Sequence, residues 1–203
     1  MKKIIIPLLF IFLFQTGFIV KSNDIDQKEK DAIIYIREEE KLARDVYEFM
    51  YNKWEVNPFG NIRYSEQIHM NRIKLLIDTY KLEDPVIKTK DIYGKFINVT
   101  LQKYYNELVE AGSQSLTAAL KVGAKIEELD IADLEERIKQ TQREDIVSSF
   151  EFLKMASHNH LRAFVRRLKM VGVNYTPVIL SKVMFDQIIG TENSKGGYGK
   201  RDN

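Results

Sequence analysis

The segment SEQIH at residues 65–69 lies in a stretch of helical periodicity, downstream of a second segment, EKLA, at residues 40–43. Glu66 and His69 are three residues apart, slightly less than one helical turn, so their side chains leave the same helix face. A Glu-x-x-His pair that faces a lone Glu on the preceding helix is the ligand pattern of carboxylate-bridged di-iron and di-manganese bundles. Carboxylates can bridge two hard cations, and imidazole suits iron or manganese as a terminal ligand. Because such pairs also occur by chance, the prediction depends on finding the other ligands.

The composition is that of one ordinary globular domain. The 203 residues are 44% hydrophobic and 30% charged, which is enough for a substantial core. A net charge of +2 argues against a nucleic-acid surface, which needs a concentrated basic excess. The sequence has only four prolines and little strand-like alternation, so long helices are expected. It contains no cysteine, which excludes disulfides and thiolate metal sites.

The N-terminal segment has the features of an export signal. Lys2 and Lys3 precede an almost unbroken apolar run over residues 4–20, and a charged start before such a run is typical of a secretory signal. We predict that residues 1–22 are a signal peptide, or a membrane anchor if they are not cleaved. The protein is then expected to be periplasmic or extracellular. Membrane contact is expected only through this segment.

Hydrophobic periodicity predicts an all-α fold with four long helices. We place them over residues 27–54, about 62–80, about 115–140 and about 142–171. The motif TQRE at residues 141–144 has the pattern of a capping box and predicts a tight turn before the fourth helix. Residues 81–114 are longer than a bundle hairpin needs, so we interpret them as a crossover that carries a short helix over about 99–111.

A long crossover between helices two and three lets these two helices run parallel, which is the ferritin-like arrangement of a four-helix bundle. Residues 23–190 form the predicted domain. Residues 191–203 form a predicted flexible tail, because they are polar and have little to bury.

Acidic residues fall on apolar helix faces. At about 100° per residue, Glu127 lies in the middle of the apolar side of the third helix, with Asp130 beside it. On the same projection Glu128 points toward solvent. On the fourth helix His160 and Ser157 lie within the apolar face, so Ser157 takes the Glu position of a second Glu-x-x-His pair.

The first helix offers two candidate carboxylates. Glu39 and Glu40 both border its apolar stripe, and periodicity does not choose between them.

Four ordered motifs then carry a family resemblance. The pattern E-x-x-A-x-x-x-Y at residues 40–47 resembles the first-helix motif of rubrerythrins and bacterioferritins, and SEQIH resembles their second-helix Glu-x-x-His. Together with residues 126–131 and 157–164, these motifs are similar to the DUF2202 family, which is grouped with ferritin-like folds. The resemblance extends over about residues 31–177.

The resemblance implies a metal-ligand set. Glu40 would be the first-helix ligand, and Glu66 and His69 would come from the second helix. The third-helix pair and the fourth-helix imidazole complete the set with Glu127, Asp130 and His160. Ser157 departs from the standard ferritin-like pattern, which has Glu at this position, and so removes one bridging carboxylate.

The charge of these residues supports the prediction of a metal site, but it also allows a competing prediction, a metal-free bundle. Four carboxylates lie on core faces, those of Glu40, Glu66, Glu127 and Asp130. They would be costly to bury without protons or cations, and two divalent ions would balance their charge. The alternative compensation is internal, through salt bridges to Arg44 or Arg137. A bundle of that kind would keep its polar core without metal.

The predicted function is therefore an exported ferritin-like protein that binds iron, as a di-iron site, or manganese. Such a site suits redox chemistry or the handling of iron or peroxide, as in an oxidoreductase of the peroxidase or ferroxidase type. The alternative is a non-catalytic bundle that stores metal or docks another protein, or a structural bundle with a degenerate, metal-free site. Metal ions are the expected partners.

Overall fold

The structure is a computed structural model that describes residues 25–191. The predicted signal segment, residues 1–22, and residues 192–203 of the predicted tail lie outside the described residues. Across residues 25–191 all regular structure is helical, and no strand is present. The helices are α1 Gln27–Trp54, α2 Phe59–Thr79, α3 Pro85–Lys88, α4 Val99–Gly112, α5 Leu116–Ile138, α6 Glu144–Met170 and α7 Lys182–Gly190.

Side-chain contacts fix the direction of α1 relative to its two neighbours. Arg63 of α2 pairs with Glu48 of α1, whereas Arg44, one turn earlier on α1, reaches Gln67, one turn later on α2. The two helices are therefore antiparallel. The α1–α5 pair is antiparallel as well, since Tyr47 contacts residue 127 and Tyr35 lies under residue 137.

The remaining pairs complete the topology. On α6, His160 lies near Glu127 of α5 and Lys154 lies near Glu135, so α5 and α6 are antiparallel. It follows that α2 and α5 run parallel, joined by the long connection that contains α3 and α4. The predicted all-helical bundle with one crossover after the second long helix is confirmed.

Buried charges on α1 hold the crossover in place. Lys41 and Asp45 form a fully buried ion pair. Lys41 Nζ also donates to the carbonyl of Ile92 at 2.9 Å, and Asp45 accepts the N–H of Gly94 at 2.9 Å. One turn before Lys41, Glu38 accepts two further crossover N–H groups, from residues 97 and 98. Each of these buried groups therefore has a partner, as burial requires.

The capping box lies at the start of α1 rather than α6. The Asp26 side chain caps α1 by accepting the N–H of Glu29, and the Glu29 carboxylate in turn accepts the N–H of Asp26. The predicted capping box at Thr141 is wrong, because α6 begins at Glu144 with Arg143 at its N-cap and no side-chain cap bond. The physical reason is that the Thr141 hydroxyl bonds to a residue far away in sequence, since it donates to Glu29 at 2.5 Å.

The chain after α6 covers a residue that periodicity assigned to solvent. Glu128 is fully buried, so that expectation is wrong. Its carboxylate accepts the N–H groups of three successive residues, Val178, Ile179 and Leu180, at 2.7–3.2 Å. The Tyr175 hydroxyl donates a fourth bond at 2.7 Å. We call this set of bonds around the Glu128 carboxylate the Glu128 cradle. It fixes the segment that leads into α7, a helix that the periodicity did not predict.

Aromatic packing fills the bundle at one end of the predicted site. Tyr47, Phe59 and Phe164 form a cluster with ring centroids 5.2–6.0 Å apart. A side chain at position 123 would collide with the ring of Phe164, so Gly123 permits this close approach of α5 and α6. On α2 the spacing of the hydrophobic residues predicts one apolar side formed by Ile68, Ile73, Leu76 and Ile77. The last three are buried, whereas Ile68 is 44% exposed. None of the helices within residues 25–191 is both long enough and apolar enough to cross a membrane.

Candidate metal centre

The six residues predicted as ligands all lie inside the bundle. Each has an exposed fraction of 1% or less, apart from His160 at 9%. They come from all four long helices, and five of them meet in two overlapping groups. The residues are Glu40, Glu66, His69, Glu127, Asp130 and His160.

The first group joins α1 and α2. Glu40, Glu66 and His69 each offer one ligand atom, and the three atoms lie within 4.8 Å of one another. His69 Nδ1 is 3.0 Å from Glu40 Oε2 and 2.6 Å from Glu66 Oε2. The three-residue spacing on α2 brings Glu66 and His69 to one face, as the sequence predicted.

The second group joins α2, α5 and α6. It consists of Glu66, Glu127 and His160, whose ligand atoms also lie within 4.8 Å of one another. His160 Nδ1 is 3.0 Å from Glu66 Oε1 and 3.4 Å from Glu127 Oε2. Glu66 therefore belongs to both groups, and each of its two oxygens faces a different histidine.

Several of these buried atoms approach one another without forming hydrogen bonds. Both oxygens of Glu66, Oε2 of Glu127 and Nδ1 of His160 lack a hydrogen-bond partner in the described part of the chain. Their separations of 2.6–3.4 Å are short, so what they lack is the alignment of a donor hydrogen with an acceptor. Buried polar atoms left in this state are rare in folded proteins and call for an explanation.

Asp130 lies beside the two groups. It is 1% exposed, and neither of its oxygens has a hydrogen-bond partner among the described residues. The contacts of Glu127 with His160 and of Gly123 with Phe164 set the antiparallel register of α5 on α6. Three residues further along α5, the same register brings Asp130 level with Ser157.

Ser157 is not aimed at the two groups as a ligand. It is buried, and its hydroxyl donates to the carbonyl of Leu153, one turn back on α6, at 3.1 Å. The carboxylate that the standard ferritin-like pattern has on α6 is thus absent, and Asp130, whose carboxylate has no hydrogen-bond partner among residues 25–191, lies at the same level on α5.

Burial and mutual repulsion raise the pKa values of the carboxyl groups. Burial raises the pKa of Glu40 to about 7, although His69 opposes this. The pKa of Asp130 is held well above its usual range by burial and then by the charges of Glu40 and its acidic neighbours. Glu127 shifts in the same direction because it is buried. These groups favour protons when no cation is near.

The histidines shift in the opposite sense to an isolated buried imidazole. Burial lowers the pKa of His160, but Glu66 and Glu127 outweigh it and raise the value to about 9. The pKa of His69 is likewise raised well above its usual range by Glu66 and Glu40 against the effect of burial. Burial also opposes ionisation of Glu66, yet the two histidines hold its pKa below the usual value.

The structure distinguishes between the alternatives that the sequence left open. Glu40, not Glu39, enters the first group. Burial, and then the neighbouring charge of Asp133, raises the pKa of Glu39 well above its usual range. Arg44 pairs with Asp45 and an aspartate of the crossover. The guanidinium of Arg137 lies 4.1 Å over the ring of Tyr35.

Neither arginine therefore pairs with Glu40, Glu66 or Glu127 in the described structure, and the only basic partners of these carboxylates there are His69 and His160.

Two polar residues beside the groups complete the arrangement. The fully buried Tyr47 donates its hydroxyl to Glu127 Oε1 at 2.5 Å and so supports this carboxylate. Ser65 was not singled out, although its Oγ lies 3.1 Å from His160 Nε2 and 3.4 Å from His69 Nε2. The available signal was its spacing, since residues i and i+4 of a helix share a face.

Comparison with known proteins agrees with this fold. Residues 29–192 match the family DUF2202, described as an uncharacterized protein domain. The chain is 49% identical over 172 residues to Uncharacterized protein MJ0754 of Methanocaldococcus jannaschii, covering 85% of this chain and 92% of that protein. The crystal structure of hypothetical protein MJ0754 superposes with a TM-score of 0.81 over 84% of this chain and 96% of that one. This chain therefore belongs to the DUF2202 family.

Proposed function

We propose that this protein is a ferritin-like bundle that holds two divalent metal ions, iron or manganese, between α1, α2, α5 and α6. The observation that carries the proposal is the carboxylate of Glu66. Its two oxygens face two different histidines, and neither oxygen has a hydrogen-bond partner within residues 25–191. A carboxylate placed in this way is suited to bridge two cations.

The chemistry of the donors fits iron or manganese. The two groups present only carboxylate oxygens and imidazole nitrogens, a donor set that favours Fe or Mn over the thiolate-bound metals. The buried carboxylates outnumber the buried histidines, so cations would relieve their repulsion. Asp130, level with Ser157, is the additional carboxylate available to the pair of ions.

The chain's own residues define what such a centre could do. Bound iron or manganese would supply electrons to O₂ or peroxide. The protein would bind the ions through the two groups, orient Glu127 through the Tyr47 hydroxyl and exclude water by burial. We propose an oxidoreductase of the peroxidase or ferroxidase type on this basis.

A metal-free role is the second candidate, and one observation favours it. His69 Nδ1 and Glu40 Oε2 are aligned as a hydrogen bond of 3.0 Å, so protonated histidines can balance part of the acidic charge. On this alternative the bundle is a structural or binding protein that keeps a polar core without ions.

Metal content of protein purified under native conditions separates the two. We expect two iron or manganese ions per chain by elemental analysis, and Glu66→Gln should lose both because its carboxylate is shared. Glu38→Gln is the matched control, since Glu38 is also buried but serves the crossover. Metal-free protein that takes up neither Fe²⁺ nor Mn²⁺ anaerobically would establish the structural alternative instead.

Export is a separate part of the proposal. It rests on Lys2, Lys3 and the apolar run of residues 4–20. Residues 1–30 fused to a reporter that is active only outside the cytoplasm should give signal. If the fusion gives no signal and the protein is recovered from the cytosol, the export proposal is overturned. The proposal of a metal site is not affected by that result.

A further inference from the structure

Ser65 connects the two histidines of the candidate centre. It precedes Glu66 on α2 and lies four residues before His69, so its hydroxyl sits beside the His69 ring. Its Oγ is 3.4 Å from His69 Nε2 and 3.1 Å from Nε2 of His160 on the facing helix α6. One hydroxyl thus contacts the same ring nitrogen of two histidines on different helices.

The opposite nitrogens of both rings face the carboxylates. His69 Nδ1 lies against Glu40 and Glu66, and His160 Nδ1 lies against Glu66 and Glu127. The two rings are nearly stacked, with centroids 5.6 Å apart and planes 22° apart. The contacts of both rings therefore place both Nε2 atoms on the side of Ser65 and both Nδ1 atoms on the side of the acidic groups.

The hydrogen bond that one ring nitrogen of a histidine makes determines whether the other nitrogen can bind a metal ion. A neutral histidine carries one N–H, and it binds a cation only through the nitrogen that lacks the proton. The hydrogen bond made by the other nitrogen decides which one that is. A serine oxygen has two lone pairs and can accept from two N–H groups at once.

We propose that Ser65 is a positioning residue that accepts the Nε2–H of both His69 and His160 and so keeps both Nδ1 atoms free for the two ions. The inference rests on the proposed metal-binding function. It adds that one side chain sets the tautomer of both imidazoles, so its loss weakens both ion sites together rather than one of them.

The test compares Co²⁺ affinity and the protonation of the histidine nitrogens in full-length variants. Ser65→Ala should weaken binding at both sites by about 10–100-fold, the usual effect of removing the hydrogen-bond partner of a metal ligand. Ser65→Thr keeps the hydroxyl and should stay close to wild type. Ser149→Ala is the matched control, because this buried serine of α6 donates to the carbonyl of Asp145 on its own helix, three turns before His160, and should leave both affinities unchanged.

A second measurement detects tautomers, which a purely structural role would not alter. In the Zn²⁺-loaded wild-type protein, ¹H–¹⁵N spectra should show Nε2 protonated and Nδ1 metal-bound in both histidines. In Ser65→Ala the Nε2 protons should exchange faster with solvent. Equal Co²⁺ affinities of wild type and Ser65→Ala, or zinc bound through Nε2, would overturn the role of Ser65 alone. A wild-type protein that binds no Co²⁺ would overturn the proposed function as well.

Discussion

At the scale of single residues, protons and metal ions compete for the same atoms. The pKa of His160 is raised to about 9 by Glu66 and Glu127 against the effect of burial, which favours a proton on this ring at neutral pH when no metal is bound. The pKa of Glu40 is raised to about 7, mainly by burial. A cation must displace each proton that is present before it can bind.

This competition predicts the sign of the pH dependence. Mn²⁺ affinity should rise with pH, by about tenfold per pH unit for each proton displaced. Below the pKa of Glu40, near 7, both groups contribute. Between there and the pKa of His160, near 9, the imidazole contributes alone among these two. Titrations at several pH values, with proton release followed in weak buffer, measure the slope. An affinity that does not change with pH would contradict the assignment of His160 as a ligand.

Because Asp130 and Ser157 lie at the same level of the bundle, we predict that a carboxylate at position 157 can replace that of Asp130 in metal binding. Asp130→Ala should weaken Mn²⁺ binding by about tenfold or more, while metal-free protein should keep its stability because an unpartnered buried carboxylate is removed. Adding Ser157→Glu should restore affinity, since the longer side chain supplies a carboxylate from α6. Isothermal titration of the single and double variants checks this. If the double variant binds no better than Asp130→Ala, the two positions do not serve one ligand role.

Periodicity predicted some of these residues and missed others for identifiable reasons. Glu66 and His69 needed only the spacing within one helix, and Glu127 needed only its place on an apolar face. Glu128 was assigned to solvent because the segment that covers it, near Leu180, is about fifty residues away in sequence. A helical projection contains no information about such a distant partner.

At the scale of elements, local patterns predicted helices better than their ends. The bounds of α1 match the prediction, because a long apolar stripe ends at a turn sequence. The start of α6 does not, since Thr141 bonds to Glu29 from the other end of the bundle. Both α7 and the cradle around Glu128 depend on contacts between distant parts of the chain, which the sequence alone does not reveal.

The Glu128 cradle predicts a local loss of stability. Glu128→Ala leaves the N–H groups of Val178, Ile179 and Leu180 without their acceptor. Only Leu180 is a buried residue, so the expected loss of unfolding free energy is about 1–3 kcal/mol. Urea unfolding measures the loss, and hydrogen exchange of the amides of Val178, Ile179 and Leu180 should accelerate most. Glu136→Ala, on the exposed side of the same helix, is the control. Unchanged exchange at these three amides would show that the cradle does not hold the segment.

At the scale of the whole molecule, metal should behave as a ligand of the folded state. An ion that binds only the folded chain stabilises it by about 2.7 kcal/mol at a free concentration one hundred times its Kd. We therefore expect Mn²⁺ to raise the Tm of metal-free protein and a chelator to reverse the change. Glu66→Gln should show no such rise. A Tm that is the same with and without Mn²⁺ would contradict the proposed centre.

The sharing of Glu66 has a consequence for the rate of unfolding. The first group lies within the α1–α2 hairpin, whose helices a short turn already holds together, whereas the second group joins that hairpin to α5 and α6. If the two hairpins separate first, only an ion in the second group must leave beforehand. The lifetime of the folded chain would then follow the dissociation rate of that ion, and a slowly exchanging metal would protect the protein longer than a tighter but faster one.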